Sequence, residues 1–199
     1  MSRKLQPGKL IAATHNKGKV VELKDLFVPL GFEVLSGLEL DLDEPEETEF
    51  TFEGNALIKA RAAARACGAP ALSDDSGLEV KALGGMPGVH TAIWAGEPRD
   101  FYKAMDKVER ELRAIDAQDR SANFVSCLAV AWPDGHEVTF RGEVHGHLTW
   151  PPRGEMGFGY DPVFVPNGYD LTFAELQPAD KHAMSHRAAA FEKLKAALL

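Results

Sequence analysis

The order in which strand-like and helix-like segments follow one another limits the fold more than any other feature. A short apolar run at residues 9–14 predicts a buried strand, and Asn16 then opens a segment whose apolar residues recur at helical spacing through Phe27. Residues 32–36 predict a second strand. The first part of the chain therefore predicts a unit of strand, helix and strand.

The next segments continue this alternation. Thr51 is a residue type that caps helices, and the alanine-rich stretch after it predicts a helix that runs to Cys67 and stops at Gly68. Residues 70–73 and 77–83 predict two short strands, separated by two aspartates and a serine.

Strands become consecutive in the later part of the chain. Residues 101–115 have the apolar spacing of an amphipathic helix, and residues 122–132, 136–142 and 143–150 predict a meander of antiparallel strands around a Pro-Asp-Gly turn. A last helix is predicted from Asp180. Alternation followed by consecutive strands predicts an α/β fold in which helices flank a mixed sheet.

Composition sets the domain organisation. A chain of 199 residues, 45% of them hydrophobic, can bury one substantial core, or two small lobes that share one. No segment is rich enough in Ser, Gly or Pro to act as a linker between domains. We therefore expect a single domain over residues 1–199, built as two lobes around a cleft, the place where small ligands usually bind.

The net charge, the short length of the apolar runs and the N-terminal sequence argue against several classes of protein. The formal net charge of −8 argues against a nucleic-acid partner, because affinity for DNA or RNA phosphates comes mainly from Lys and Arg. No apolar run approaches the roughly 18 to 20 residues of a membrane span, and the N-terminus lacks a signal-peptide core. We expect a soluble, cytoplasmic protein in which Cys67 and Cys127 are buried, reduced thiols.

A first candidate site is the sequence THNKGK at residues 14–19, between the first predicted strand and helix. Backbone N–H groups and the helix dipole attract anions at such a position, and Lys17 and Lys19 add full charges. The segment lacks the glycine and hydroxyl pattern of a Walker A loop. It predicts a phosphate site, and the alternative is an ordinary turn with solvated lysines.

A second candidate site combines two groups of acidic residues. Asp74, Asp75 and Ser76 follow a predicted strand, where paired carboxylates commonly hold Mg²⁺. The acidic loop offers Glu46 or Glu47 as a further oxygen ligand. The alternatives are a surface Asx turn for the aspartates and a solvated charge run for the loop.

A third candidate site is the sequence GFGYDP at residues 157–162. Its glycines permit close approach of a ligand to the main chain, Phe158 or Tyr160 offers a ring for stacking, and Asp161 can accept a hydrogen bond. These groups suit a flat heteroaromatic ring. The alternative is a β-turn with aromatic side chains in the core.

A fourth candidate site is the sequence KHAMSHR at the start of the last predicted helix. Lys181, His186 and Arg187 place three potential cations close to the positive end of that helix, and Ser185 adds a hydroxyl group. The alternative is a polar helix face.

Taken together, these motifs resemble the inosine triphosphate pyrophosphatase family. The resemblance rests on THNKGK, EET followed by NALIKA, SDDSG, PRGEMGFGYDP and a closing K and SHR, in the same order over nearly the whole chain. It implies an elongated α/β fold with a cleft between two lobes, usually as a homodimer. It also implies Mg²⁺-dependent hydrolysis of dITP, ITP and XTP to the monophosphate and pyrophosphate, which keeps deaminated purines out of DNA and RNA.

The resemblance also assigns roles to individual residues. Asp75 is the expected catalytic acceptor, Glu47 and Asp75 are the expected Mg²⁺ ligands, and Ser76 is expected to contact substrate. The residues expected on the triphosphate are Thr14, His15, Asn16, Lys17, Gly18, Lys19 and Lys59. Those expected around the purine base are Phe158, Gly159, Tyr160, Asp161, Lys181, His186 and Arg187.

Two positions depart from the family pattern, and two rival functions remain open. Ile93 stands where relatives often have arginine, and His15 where they often have glycine. One rival is a nucleotide-sensing module that binds triphosphate without turnover. The other is an enzyme of the same class that acts on a modified pyrimidine triphosphate.

Overall fold

The computed structural model describes residues 3–199, which form six strands and six α-helices. Within these residues, no helix has both the length and the apolar character needed to cross a bilayer. In chain order the elements are β1 Lys9–Ala12, α1 Lys17–Phe27, β2 Glu33–Ser36, α2 Phe52–Cys67, β3 Ala71–Val80, α3 Thr91–Ala95, α4 Phe101–Ala114, β4 Ser121–Ala131, β5 Glu137–Leu148, β6 Phe164–Pro166, α5 Pro178–Met184 and α6 His186–Leu198.

The strands form one mixed sheet in the order β2-β1-β3-β4-β5-β6. β1 runs parallel to β2 and to β3, with Ile11 opposite Leu35 on one side and Ala71 on the other. β6 runs antiparallel to β5, where Val165 faces His147. The predicted α/β fold with a mixed sheet and flanking helices is confirmed.

The ends of α2 follow from local chemistry, as predicted. The Thr51 hydroxyl accepts a hydrogen bond from Gly54 N at 3.1 Å, which satisfies a backbone donor at the helix start. At the other end Gly68 has a φ of 60°, a left-handed conformation that glycine adopts without a steric penalty. The buried face of α2 includes two polar side chains, Asn55 and Lys59.

The prediction of two short strands around the aspartates was wrong. β3 is continuous from Ala71 to Val80 and passes through Asp74, Asp75 and Ser76 without a turn. It lies between β1 and β4, and its residues are almost all buried, so neighbouring strands and packing override the turn tendency of an Asp-Asp-Ser-Gly sequence. The aspartates are therefore not in a surface Asx turn.

Two further boundaries differ from the predictions. β5 is one strand that passes through Gly142, not two strands. The last predicted helix is broken into α5 and α6 at Ser185, whose ψ of 156° is extended. The Ser185 hydroxyl accepts a hydrogen bond from Ala188 N at 3.1 Å, so Ser185 starts a new helix instead of continuing the old one.

The chain divides into two compact units, each with its own hydrophobic core. The first unit comprises residues 1–75, 126–142 and 190–199, and the second comprises residues 76–125 and 143–189. The divisions fall inside β3, β4, β5 and α6. That the whole chain acts as a single domain stays a prediction.

Each core draws on both helices and strands. The first core packs side chains of α1 and α6 against β1 and β4, and it includes Leu10, Leu23, Phe27, Leu128, Phe191 and Leu194. The second core packs α4 against β3, β4 and β6, and it includes Leu78, Met105, Leu112, Phe124, Phe164 and Phe173.

Candidate active site

The first unit carries a cluster of alternating carboxylate and ammonium groups, which we call the carboxylate-lysine cluster. Its members are Lys19, Glu47, Lys59, Asp74 and Asp75. Four of these five come from the motifs predicted to bind phosphate and metal, and the structure brings them into direct contact.

Lys59 lies at the centre of the carboxylate-lysine cluster. Its Nζ atom donates to Glu47 Oε1 at 2.5 Å, to Asp75 Oδ1 at 3.0 Å and to the main-chain oxygen of Asp74 at 3.3 Å. The Lys59 side chain is only 7% exposed. Burial alone would lower the pKa of Lys59, but the charges of Asp75 and Glu47 outweigh burial and raise it. The side chain therefore remains an ammonium ion.

The pleat of β3 explains how two adjacent aspartates find different partners. Alternate residues of a strand point to opposite faces. Ser73 and Asp75 both contact α2, through Ser73 Oγ to Ala56 O at 2.5 Å and through Asp75 Oδ1 to Lys59. Asp74 instead binds Lys19 Nζ of α1 through Oδ2, at 3.1 Å.

Asp74 is the most deeply buried carboxylate of the cluster. Its side chain is fully buried, and Oδ1 accepts a hydrogen bond from Ser126 Oγ at 2.7 Å. Ser126 belongs to β4, the strand next to β3. Because both oxygens of Asp74 have partners within the protein, Asp74 positions Lys19 and does not point an open carboxylate at a ligand.

Asp75 has the opposite character. Burial raises the pKa of its carboxyl group, and the negative charge of Glu47 adds to this effect, while Lys59 and Lys19 oppose it. Its Oδ2 atom is buried and has no hydrogen-bond partner within residues 3–199. A buried carboxylate oxygen without a partner is costly unless a ligand, water or ion binds it.

The carboxylate-lysine cluster fits a Mg²⁺ ion. Mg²⁺ is usually held by one or two carboxylates, with water and substrate phosphates completing its shell. Glu47 and Asp75 provide two carboxylates, and Asp75 Oδ2 provides a buried oxygen with no protein partner in the described part of the chain. No three His, Cys, Asp or Glu side chains of residues 3–199 are arranged to hold a metal by themselves. Water and substrate oxygens would have to supply the other ligands.

Only part of the THNKGK motif reaches this cluster. Lys19 binds Asp74, whereas Lys17 is exposed in the first turn of α1. The N–H groups of Gly18 and Lys19, which could have faced an anion, donate to the Asn16 side chain at 2.9 and 3.2 Å. Asn16 is therefore a helix cap, and the cationic side chains are the groups left to attract phosphate.

His15 contacts the acidic loop instead of the aspartates. Its Nε2 atom lies 2.7 Å from the main-chain oxygen of Leu42, and its Nδ1 atom lies 3.9 Å from Glu44 Oε2. Between this loop and α2 there is a cavity of about 340 Å³, which His15, Lys59, the loop residues 41–45 and three alanines of α2 line. His15 thus links the loop that carries Glu47 to the segment that precedes α1, the helix that carries Lys19.

The second unit carries a separate polar cluster around Asp161. Asp161 Oδ2 accepts hydrogen bonds from Lys181 Nζ at 2.5 Å and from Phe158 N at 2.7 Å. The Lys181 and Asp161 side chains are both buried. Lys181 Nζ also lies 4.9 Å from the ring centre of Phe158 and 5.7 Å from that of Phe173. Phe158 is 45% exposed, so its ring can still stack on a ligand.

The glycines of the GFGYDP motif serve the protein's own geometry. Gly157 has a φ of 78°, and a Cβ atom there would overlap the Asp161 carboxylate. Tyr160 is almost fully buried, packs edge-to-face on Phe101 and donates to the main-chain oxygen of Thr91 at 3.2 Å. Of the two aromatic rings proposed for stacking, Tyr160 belongs to the core and Phe158 remains available.

His186 and Arg187 open α6 and are both buried. The His186 ring stacks on Phe124, with ring centres 5.2 Å apart and an angle of 18° between the planes. Arg187 Nη2 lies 3.4 Å from Ser76 Oγ, close to the limit of a hydrogen bond. Ser76, His186 and Arg187 therefore lie in the same unit as Phe158 and Lys181.

Some residues of these clusters were not found by motif reasoning. Ser126, Phe124 and Phe173 lie in strand-like or irregular apolar surroundings and match no motif. Lys59 was expected on the triphosphate from the resemblance, and it also had a local signal, because it falls on the same helical face as Phe52 and Asn55, where a charged side chain needs a partner.

Comparisons with known proteins agree with the motifs. A family model described as the Ham1 family matches residues 10–197. A protein of Rhizobium meliloti (strain 1021) is 55% identical over 204 residues, covering 96% of this chain and 95% of that protein. A protein of Rhodospirillum centenum (strain ATCC 51521 / SW) is 58% identical over 188 residues, covering 94% and 93%. Both relatives are named dITP/XTP pyrophosphatase.

A solved structure shows the same fold. The HAM1 protein from Coxiella burnetii superposes with a TM-score of 0.89 at 38% sequence identity, covering 94% of this chain and 96% of that one. The family resemblance predicted from the sequence is confirmed, and the chain belongs to the Ham1 family.

Proposed function

We propose that this protein hydrolyses dITP, ITP, XTP and dXTP to the monophosphate and pyrophosphate, with Mg²⁺ as cofactor. The observation that carries the proposal is the carboxylate-lysine cluster, in which the buried Lys59 and the partly buried Lys19 accompany a buried Asp75 oxygen without a protein partner in the described chain. The names of the relatives support this substrate class. The activity would remove deaminated purines before polymerases incorporate them.

In this proposal the first unit binds the polyphosphate. Lys19 and Lys59 offer positive charge to the phosphate oxygens, and the motif from Thr14 to Lys19 lies beside them. Asp75 accepts the proton of the water that attacks the α-phosphorus, and its raised pKa makes it a stronger base than an ordinary aspartate. Electrostatic stabilisation by fixed charges is the main way proteins promote phosphoryl chemistry.

Glu47 and Asp75 are the residues that would hold Mg²⁺. When bound, the ion would neutralise charge on the phosphate oxygens. The protein contributes the two carboxylates, and His15 holds the loop that presents Glu47. Glu46, the alternative ligand, is exposed like Glu47, but only Glu47 of the two has an ion pair with Lys59 among the residues described.

In the same proposal the second unit binds the purine base. The exposed ring of Phe158 can stack on the base, and Lys181, His186 and Arg187 can recognise its oxygens. A donor directed at the 6-oxo group of hypoxanthine would meet the amino group of adenine and lose its partner. An unsatisfied buried group costs about 1–3 kcal/mol, which corresponds to roughly tenfold to a hundredfold discrimination.

The experiment is a panel of triphosphates assayed with Mg²⁺ for release of pyrophosphate and, separately, of phosphate. We expect dITP, ITP and XTP to be hydrolysed far faster than dATP, dGTP and dCTP, with pyrophosphate as the product. Asp75→Asn should reduce the rate by at least about a hundredfold. Tight triphosphate binding without turnover would favour a sensing module, and turnover restricted to a modified pyrimidine triphosphate would favour the shifted-specificity enzyme.

We also propose that the protein is a cytoplasmic homodimer. The family resemblance supports the dimer, and the cytoplasm is where the proposed substrates are made. Light scattering coupled to size-exclusion chromatography tests the dimer: a mass near twice 21.7 kDa is expected, and a mass near 21.7 kDa at micromolar concentration would contradict it.

A further inference from the structure

The ammonium group of Lys59 lies between the two carboxylates that we assign to Mg²⁺. Its Nζ atom is 2.5 Å from Glu47 Oε1 and 3.0 Å from Asp75 Oδ1. With the contact to the main-chain oxygen of Asp74, all three donors of the ammonium group have an acceptor. The side chain therefore forms a fully satisfied bridge between Glu47 and Asp75.

A metal ion and the Lys59 bridge compete for the same carboxylate oxygens of Glu47 and Asp75. Mg²⁺ needs carboxylate oxygens at about 2.0–2.1 Å in a near-octahedral arrangement, whereas the bridge holds one oxygen of each carboxylate on an ammonium ion. Two cations that share a pair of carboxylates also repel each other. Full binding of the metal by Glu47 and Asp75 thus requires Lys59 to release at least one of them.

We infer that Lys59 is a tethered cation that competes with the metal for Glu47 and Asp75, and that phosphate oxygens of the substrate draw it away. This inference rests on the proposed function, because it takes a triphosphate as the ligand. The inference implies that metal and triphosphate bind cooperatively and that each binds weakly when alone. If triphosphate raises the affinity of the protein for the metal, the metal must raise its affinity for triphosphate by the same factor.

The surroundings of Lys59 allow this movement. The side chain has a flexible four-carbon stem. It also lines the cavity of about 340 Å³ beside Ala62, Ala63 and Ala66, whose small side chains leave room next to the stem. A phosphate group offers several acceptors, so the ammonium group can leave Glu47 and Asp75 without losing its hydrogen bonds.

The first test is a titration of the nucleotide-free protein with Mn²⁺, in which electron paramagnetic resonance measures the concentration of the free ion. Lys59→Met keeps the length of the side chain and removes the competing charge. We expect it to bind Mn²⁺ at least about tenfold more tightly than the parent protein. Unchanged or weaker Mn²⁺ binding by this variant, or no binding at all, would overturn the inference.

Lys19→Met is the matched control. Lys19 belongs to the same cluster and carries the same charge, but its Nζ atom binds Asp74, through Oδ2 at 3.1 Å and through the main-chain oxygen at 3.2 Å. We expect this variant to gain less than about threefold in Mn²⁺ affinity, because its charge acts only through space. An equal gain in both variants would show that net charge, and not competition by Lys59, sets the metal affinity.

The second test measures the coupling directly. In the parent protein, a saturating α,β-methylene analogue of ITP should tighten Mn²⁺ binding, and Lys59→Met should lose most of that enhancement. An enhancement of equal size in both proteins would contradict the inference. These titrations need no turnover, so they can fail or succeed independently of the triphosphate panel that tests the proposed function.

Discussion

At the scale of single residues, Lys19 is the part of the THNKGK motif whose role can be measured most cleanly. Its ammonium group lies on Asp74 beside the proposed polyphosphate site. We expect Lys19→Ala to weaken binding of ITP by at least about tenfold, because a charge-assisted contact to phosphate is lost. Binding of IMP should change little. Calorimetric titration with both nucleotides, using a calcium buffer to prevent turnover, gives the comparison.

The monophosphate serves as the internal control for that experiment. An equal loss for ITP and IMP would contradict the proposal that Lys19 binds the polyphosphate of the substrate. It would instead indicate that the variant disturbs Asp74, which is buried and would lose its cationic partner.

Motif reasoning predicted residue types better than it predicted partners. The resemblance assigned Glu47 and Asp75 to the metal and Lys59 to the phosphates, and the structure shows Lys59 bound to both carboxylates; their functional roles stay predictions. The same reasoning expected the backbone N–H groups at the start of α1 to attract an anion, but those of Gly18 and Lys19 donate to the Asn16 side chain. A capping residue and an anion compete for the same N–H groups, and the sequence alone does not show which of them binds.

At the scale of elements, the break between α5 and α6 makes Ser185 a capping residue. Ser185→Ala removes the acceptor for Ala188 N and should lower the free energy of unfolding by about 1 kcal/mol. Because α6 begins with His186 and Arg187, we also expect a higher KM for ITP with little change in kcat.

Ser185→Thr is the conservative control, since threonine also caps helices. Urea unfolding and steady-state kinetics on the parent and both variants test the prediction. If Ser185→Thr loses as much stability as Ser185→Ala, the lost hydroxyl acceptor is not the cause.

The elements that the sequence predicted correctly are those with a local signal at each end. α2 has Thr51 before it and Gly68 after it, and its boundaries were found without error. β3 has no such signal, because Asp-Asp-Ser-Gly is typical of turns and only pairing with the neighbouring strands makes it extended. Pairing between distant segments is information that a local pattern does not contain.

At the scale of the whole molecule, the ion pairs of Glu109 make the stability of the second unit depend on pH. Glu109 of α4 is buried and accepts hydrogen bonds from Arg113 and Arg120. Hydrogen bonding by Arg120 is the largest influence and lowers the pKa of Glu109, although burial opposes it. Because the pKa of Glu109 is lower in the folded state than its ordinary value of 4.5, ionised Glu109 stabilises the fold at pH values above 4.5. This stabilisation is lost as the pH falls through the pKa of the folded state.

We therefore expect Glu109→Gln to be less stable than the parent by about 1–2 kcal/mol at pH 7. This value allows for solvent screening, because both arginine side chains are partly exposed. The difference should shrink as the pH falls below 4.5. Urea unfolding at several pH values measures it. A difference that stays constant down to pH 3 would mean that the charge of Glu109 contributes nothing.

The unbroken path of β3 also has an evolutionary consequence. Asp74 and Asp75 bind different lysines because consecutive side chains of a strand point to opposite faces. Losing or gaining a single codon for residues 71–73 would invert that alternation, so that Asp74 would face α2 and Asp75 would face Lys19, although both aspartates would remain in the sequence. Lineages that carry this motif can change it by replacement but are expected to tolerate no shift of length there.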